Sequence, residues 1–407
     1  MKRFNLKRLA SAVYAVVIIA LAFLFFTNDF GLVDIRKTAV IIGAGLDLTP
    51  AGVSITAQLA IPQPSENGEA TQYIEVEGEG ATVADALNEI NKKTGFYPKL
   101  VFCKLLVLGE SCQNGNIFEI LDYFYRDDYT QLTPTIAMCA GSAGELFASK
   151  MRFGNTATVS IERLLSEEAK KSGNVSTVNL KILGIDAYSP SAACYMPFIR
   201  AQLQSAEDGT TGSGSAGGDV STSEEPASGG QSQTGGGQES PREFLCDRTA
   251  VFSHGNFVGV LDEEQTFALN LIKNKVRHVF VPCEAEGDVY TLGLRSCSGG
   301  ADVRMQNGVP SVRLSFSAVA QISDVNRKES PQSASRGVVP DAVLAGGVEA
   351  LRQRFAALAQ MVRATGCDVL ELKTLLYRYH YRYYEEWGDR LLSDAEIVFD
   401  IDLRSAG

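Results

Sequence analysis

Eighteen consecutive residues without a charge, Leu9 to Phe26 (LASAVYAVVIIALAFLFF), constrain this chain more than any other feature. Wound as a helix at about 1.5 Å per residue, the run comes close to the roughly 30 Å of a hydrocarbon core. Lys2, Arg3, Lys7 and Arg8 precede it, and Asp29 and Asp34 follow. The positive-inside bias therefore puts the N-terminus in the cytoplasm and everything after Phe26 outside. Ala20-Leu21-Ala22 has the small-x-small pattern of a signal-peptide cleavage site, but Phe23 to Phe26 carry the apolar run past it. No cysteine occurs before Cys103, which leaves no candidate for a lipid-modified N-terminal cysteine. The expectation is a retained single-pass anchor, with residues 1–30 as basic stub and transmembrane helix.

Beyond the anchor lie about 380 residues, enough for two or three domains with their own cores. The formal charge is −11, and because four basic residues and no acid stand before Phe26, the external part is more acidic still. An acidic ectodomain argues against nucleic acid as a partner. The eight cysteines are scattered, with no C-x-x-C and no Cys/His cluster, so no metal site is expected. Disulfides are permitted outside the membrane, but Cys103 and Cys139 sit in apolar strand-like runs where a buried free thiol is equally ordinary.

Ser205 to Pro241 contains no aromatic residue, and Val220 is its only aliphatic one apart from alanine. Such a stretch cannot bury enough surface to offset its ordering entropy. It is expected to be a disordered loop separating an N-terminal region, 33–204, from a C-terminal domain, 242–407. In the first region the spacing predicts a hairpin, Ala39–Gly43 and Val53–Ala60, turning at Pro50. A helix follows, capped by Thr82 and stopped by Gly95, then a strand over Leu100–Leu108. A second helix carries Ile117, Ile120, Leu121 and Phe124 on one face, and a strand runs from Leu132 to Cys139. Past the loop come a hairpin around His254-Gly255-Asn256 and a capping-box start at Asp262 for a helix through Ile272. Strands are expected at 276–281, 289–294 and 312–322, then a long helix bearing Val348 to Val362. A further helix from Cys367 or Asp368 to Trp387 and a last strand, Glu396 to Leu403, complete the pattern. The fold class is a mixed α+β and α/β ectodomain, its mixed and antiparallel sheets covered by helices.

Chemical signals are weak. Gly43-Ala44-Gly45 leaves a strand as a phosphate loop would, yet Leu48 replaces the third glycine and a strand, not a helix, follows. The glycines are therefore read as structural. The chain has three histidines, His254, His278 and His380, and lacks G-x-S-x-G and H-E-x-x-H. Asp127-Asp128 and Glu263-Glu264 read as solvated helix termini. The tract Tyr377 to Trp387 (YRYHYRYYEEW) is read as a core helix, with Leu376, Tyr379 and Tyr383 inward and the arginines reaching Glu385 or Glu386. No catalytic, cofactor-binding or metal residue is assigned, and any ligand-binding residue is unknown.

The order of elements, with several short motifs, resembles the Ger(x)C family of spore germination proteins. The likeness rests on DIRKTAVIIGAGLDLTPAGVSITAQLAIP, TVADALNEINKKTGFYPKLVFCKLLVLGE and ILDYFYRDD before the loop. After it come TAVFSHGNFVGVLDEEQT and, more loosely, AEIVFDIDL. The resemblance implies the C subunit of a nutrient germinant receptor, held on the outer face of the spore's inner membrane. It would work with an A subunit and a transporter-like B subunit, without known catalysis and with no cofactor. A solute-binding protein that captures a small nutrient in a cleft between its halves is the alternative. The chain departs from the family in lacking the lipobox cysteine and in carrying Cys103 where a histidine is common. It also has VLELKTLLY after Asp368 where a glycine-containing segment is usual.

Overall fold

The computed structural model describes residues 13–22, 38–65, 68–127, 130–149, 156–166, 171–203, 242–326 and 338–406. Residues 13–22 are helical, with exposed side chains. No described helix is long and apolar enough to cross a membrane, and the rest of the expected anchor lies outside the described residues. So does 205–241.

The first sheet opens with β1 (Thr38–Thr49) and β2 (Gly52–Ser65), an antiparallel hairpin turned by Pro50-Ala51. β3 (Gly68–Gly80), which the sequence pattern did not reveal, pairs along β2. Helix α1 (Val83–Thr94) starts where the Thr82 hydroxyl accepts from Asp85 N–H, and stops at Gly95 with φ +72°. The expected Leu100–Leu108 strand is shortened to β5 (Leu105–Leu108), its first residues forming a turn closed by Cys103 N–H to Leu100 C=O. β4 (Tyr97–Lys99) precedes that turn, and both strands are parallel to β1. Short helices α2 (Ile117–Ile120) and α3 (Asp122–Arg126) replace the single one expected, although its four apolar residues are all buried. β6 (Thr135–Cys139), α4 (Ala143–Ala148), α5 (Ala157–Leu164), β7 (Val178–Asn179) and α6 (Leu180–Ala187) follow, leading into β8 (Ala193–Leu203). Beyond the loop come β9 (Arg242–Ser253) and β10 (Asn256–Leu261).

The sheet order is β10-β9-β8-β6-β5-β1-β2-β3, parallel through β8, β6, β5 and β1. Leu203 is the partner of Arg242. The segment 205–241 therefore joins adjacent antiparallel strands of one sheet, and the expected C-terminal boundary at 242 falls inside that sheet. Both faces of the sheet are covered. Alternate residues of β5 and β6 show this, since Leu106, Leu108, Ile136 and Met138 enter one core and Leu105, Val107, Ala137 and Cys139 another.

That second layer explains Gly43 and Gly45. They lie inside β1, not after it, because the strand continues to Thr49. A Cβ on Gly43 would stand 2.1 Å from Thr158 Oγ1 in α5, and one on Gly45 2.9 Å from Ala143 Cβ in α4. Asp47, two residues on, accepts from Ala143 N–H (3.1 Å), Gly144 N–H (3.0 Å) and the Ser142 hydroxyl (2.8 Å). Gly43, Gly45 and Asp47 share one face of β1, and together they let two helices press against the sheet and fasten one of them. Ser54, Thr56 and Gln58 are buried on β2 instead of facing water, and the Gln58 carbonyl accepts Thr158 N–H at 3.2 Å.

Helix α7 (Glu263–Ile272), with its full Asp262/Gln265 capping box, leads to the second sheet. This comprises β11 (His278–Ala285), β12 (Asp288–Gln306), β13 (Val309–Asn326) and β14 (Glu396–Ser405) in chain order. Helix α8 (Asp341–Thr365) lies across it, Phe355 meeting Phe316 and Phe399 edge-on at 6.3 and 6.4 Å. β14 runs parallel to β13, so this sheet is mixed. The helical crossover between the two strands returns the chain to the end from which β13 started.

Candidate functional site at the junction of the two sheets

Helix α7 is the hinge-pin of the molecule. Its Phe267, Ala268, Leu271 and Ile272 belong to one continuous apolar core with Tyr195 and Val251 of the first sheet and Leu292 and Leu294 of the second. Gly299 of β12 passes so close that a Cβ there would lie 1.8 Å from the Leu271 carbonyl oxygen. Asn270, fully buried on α7, donates to Gly173 C=O (2.7 Å) and accepts from Ser176 Oγ (2.8 Å), which ties the segment before β7 to the same helix.

A polar network crosses the junction. Ser191, just ahead of β8, donates to Asp368 Oδ2 at 2.7 Å and stands 2.8 Å from the Thr374 hydroxyl. The Asp368 carboxylate also accepts Leu372 N–H (2.9 Å) and Lys373 N–H (2.8 Å), and so caps α9 (Leu372–Tyr379) from four residues before its start. Burial pushes this carboxyl up, while its donors pull it back. The neighbouring Cys367 thiol donates to Phe252 C=O of β9 at 3.4 Å. Ser191 thus meets Asp368 and Thr374 from 177 and 183 residues away in the chain.

A charged cluster borders the network. Lys273 pairs with Glu371, and Lys275 Nζ donates to the Tyr195 hydroxyl at 2.6 Å. Asp186, at the end of α6, is pushed up to about 6, chiefly by burial and then by the Glu371 charge, with Lys273 and Lys275 opposing. Glu371 sits in the left-handed region at φ +60°, where glycine is favoured. The departure VLELKTLLY therefore puts an acid where backbone geometry prefers glycine, and Lys273 holds it there.

The sequence-level candidates do not converge. His254 and Gly255 form the β9–β10 turn, both at positive φ. His278 stacks edge-on against Phe280 at the start of β11, and His380 lies 2.9 Å from Val303 C=O. Glu263 and Glu264 occupy the first turn of α7, with Glu264 paired to Arg354. Asp127 accepts the Thr130 hydroxyl, and Asp128 lies outside the described residues. All eight cysteines are free, seven of them buried, and burial lifts Cys103, Cys112, Cys246 and Cys367 to about 12. Thiols held so high are not nucleophiles at neutral pH. Among the described residues no group of three His, Cys, Asp or Glu could hold a metal ion.

The aromatic tract departs from its expected geometry. His380 (φ −136°, ψ 41°) ends α9, and a 3₁₀ turn over Tyr381–Tyr383 separates it from α10 (Tyr384–Trp387), with α11 (Leu391–Asp394) beyond. Leu376 is buried as expected, but Tyr379 is exposed, and Arg382 lies over the Tyr383 ring at 4.7 Å.

Clefts open on the surface of the described residues. One of about 730 Å³, between β11 and α8, is lined by Glu264, Glu284, Glu349 and Arg354 among others. Another of about 450 Å³ lies between α1 and α3. Between the halves, where the alternative reading places a ligand, Phe267, Leu271 and Ile272 pack into continuous core, and beside it opens a cleft of about 300 Å³ lined by Lys171, Ser172 and Asn174 on one side and His278 and Phe280 of β11 on the other. Asp47, Ser191 and Thr374 escaped the sequence reading because each is an ordinary polar residue whose partner lies far off in the chain.

Two family models match in order: the spore germination protein N-terminal domain over residues 32–201, and the spore germination B3/GerAC-like C-terminal domain over 247–405. Among curated proteins none matches. The structure is similar to the crystal structure of the GerBC protein, with a TM-score of 0.52 at 14% identity, over 92% of this chain and 100% of that one. At that identity the likeness speaks for the fold alone. The two domain matches cover most of the residues from β1 to β14, and the chain belongs to the Ger(x)C family of spore germination proteins.

Proposed function

We propose that this chain is the membrane-anchored C subunit of a nutrient germinant receptor. In this reading it has no enzymatic activity and acts through contacts with an A and a transporter-like B subunit on the outer face of the spore's inner membrane. The observation that carries it is the junction. The two family domains share one packed core and a buried polar network, Ser191–Asp368–Thr374, so a displacement imposed on one sheet is passed to the other. The uncharged run Leu9–Phe26, with its basic flank, supports a single-pass anchor with the N-terminus inside. Spores lacking the chain should lose their response to at least one class of nutrient while still germinating through other receptors. An unchanged response to every nutrient tested would contradict the proposal.

The cleft beside Arg354 favours one second reading, direct capture of a small nutrient by this subunit. Arg354 is charged and mostly buried, and it is flanked by three carboxylates, a setting suited to a ligand carrying both charges. Thermal melting with amino acids, sugars and nucleosides separates the readings. A ligand that binds here raises the melting temperature with saturation, and an assembly subunit shows no such rise.

A further inference from the structure

From Ile90 to Gly109 the chain carries four lysines, Lys92, Lys93, Lys99 and Lys104, and no acid, in a protein whose net charge is −11. The fold lays this stretch beside the first residues of β1, from Tyr97 opposite Thr38 to Lys104, whose N–H donates to Ile42 C=O. Lys92 and Lys93 occupy the last turn of α1, Lys99 ends β4, and Lys104 precedes β5. Two large aromatic side chains stand among them, Tyr97 at 59% and Phe102 at 61% exposure, the latter on the turn between β4 and β5. Lys92 meets Glu89 (3.3 Å), Lys93 donates to Glu77 C=O (2.9 Å) and Lys104 stands 3.8 Å from Glu162. Lys92 and Lys104 keep 65% and 64% of their side-chain surface exposed.

The location gives the patch a meaning. Tyr97 is the register partner of Thr38, the first residue of β1. Twelve residue steps separate Phe26, the end of the uncharged run, from Thr38, and even fully extended they reach about 40 Å. The patch thus lies at the end of the sheet to which the tether is attached, and the opposite end, the Pro50-Ala51 turn, is roughly 36 Å further along β1. Aromatic rings with a polar rim and lysines with long apolar stems are the side chains that settle at a lipid headgroup boundary. Near an anionic surface lysines add electrostatic attraction, which supplies the second signal that lets a single tether hold a domain in a fixed orientation.

We infer that Tyr97, Phe102 and the four lysines around them form a contact surface for the anionic headgroups of the bilayer into which the chain's own anchor is inserted. This rests on the anchored reading above. The surface orients the first sheet with β4 toward the membrane and the β1–β2 turn away from it, leaving the junction and the second sheet open to partner subunits.

The test uses the full chain with Cys297, the half-buried thiol, changed to serine, so that an environment-sensitive fluorophore labels one introduced cysteine. It is placed at Tyr97→Cys or, as a reference, at Ala51→Cys. The protein is reconstituted into vesicles of phosphatidylcholine with or without about 30 mol% phosphatidylglycerol, some carrying a shallow nitroxide lipid. Quenching at position 97 should exceed that at 51 by about threefold or more in the anionic vesicles. It should fall toward the reference in neutral vesicles and when all four lysines are changed to glutamine. Protein that floats with both kinds of vesicle but is quenched equally at 97 and 51 overturns the surface and leaves the anchor standing. A probe at 97 that is blue-shifted yet unquenched points to a protein occupant and likewise overturns it. Flotation with anionic vesicles alone, with quenching at 97, upholds the surface and overturns the anchor. Flotation with neither overturns both.

Discussion

Gly43 shows how much a single residue can carry without touching a ligand. Its missing Cβ is the space that Thr158 Oγ1 occupies, 2.1 Å from where that atom would stand. Gly43→Val should destabilise the protein by about 3 kcal/mol in chemical denaturation while leaving isolated β1–β2 pairing geometry unstrained, the cost being helix displacement. The sequence offered the glycine pair plainly, but a phosphate loop and a helix-docking face look alike until it is known what packs above them. Asp186 is a second case. With its carboxyl lifted to about 6, the folded state prefers the protonated form, so its stability contribution is fully present below about 4 and is lost as pH rises through 6. Asp186→Asn should therefore be more stable than the parent at pH 7, by about 1 to 2 kcal/mol after allowance for partial exposure, and equal to it near pH 4. Thermal melts across pH 4 to 8 check this. Glu371→Gln should lower the Asp186 titration point, because the Glu371 charge is part of what raises it.

Among the elements, those encoded by neighbours in the chain were legible and those made by distant pairing were not. Thr82 and Gly95 bracket α1, and Asp262 with Gln265 opens α7, as their spacing announced. β3 carries alternating glutamates that hid its pairing with β2, and the shortening of the Leu100–Leu108 run to β5 depends on where β1 offers a partner. The aromatic helix was expected to be continuous because tyrosine and arginine are tolerated in helices. It breaks at His380, where the ring meets Val303 C=O of β12 instead of a helical neighbour. Composition marked 205–241 as a break between two regions, but its place between adjacent strands of one sheet could not be read from it. Because Leu203 faces Arg242, replacing residues 204–241 by Asn-Gly should close a tight hairpin. The shortened chain should be more stable by about 2 kcal/mol from reduced loop-closure entropy, measured as a raised denaturation midpoint. A loss of cooperative unfolding would show that the segment is needed for folding.

Across the whole molecule the thiols are sequestered, seven of the eight being buried. Native protein should react slowly with a thiol reagent at pH 7, Cys297 first, and expose all eight cysteines only on unfolding. The junction was not legible, since Ser191 lies 177 residues from Asp368 and 183 from Thr374, across the 205–241 segment. It makes the two family domains a single body, and Asp368→Ala should cost about 3 kcal/mol by leaving Leu372 N–H, Lys373 N–H and Ser191 without their acceptor. In the proposed reading such a body, held to the membrane by its N-terminal run, relays contacts between membrane-embedded and external partners. The most direct measurement of that claim is affinity isolation of the tagged full chain from detergent-solubilised membranes of dormant spores. The account predicts recovery of a polytopic, transporter-like protein in comparable amount, and isolation of this chain by itself under conditions that preserve other membrane complexes would contradict it.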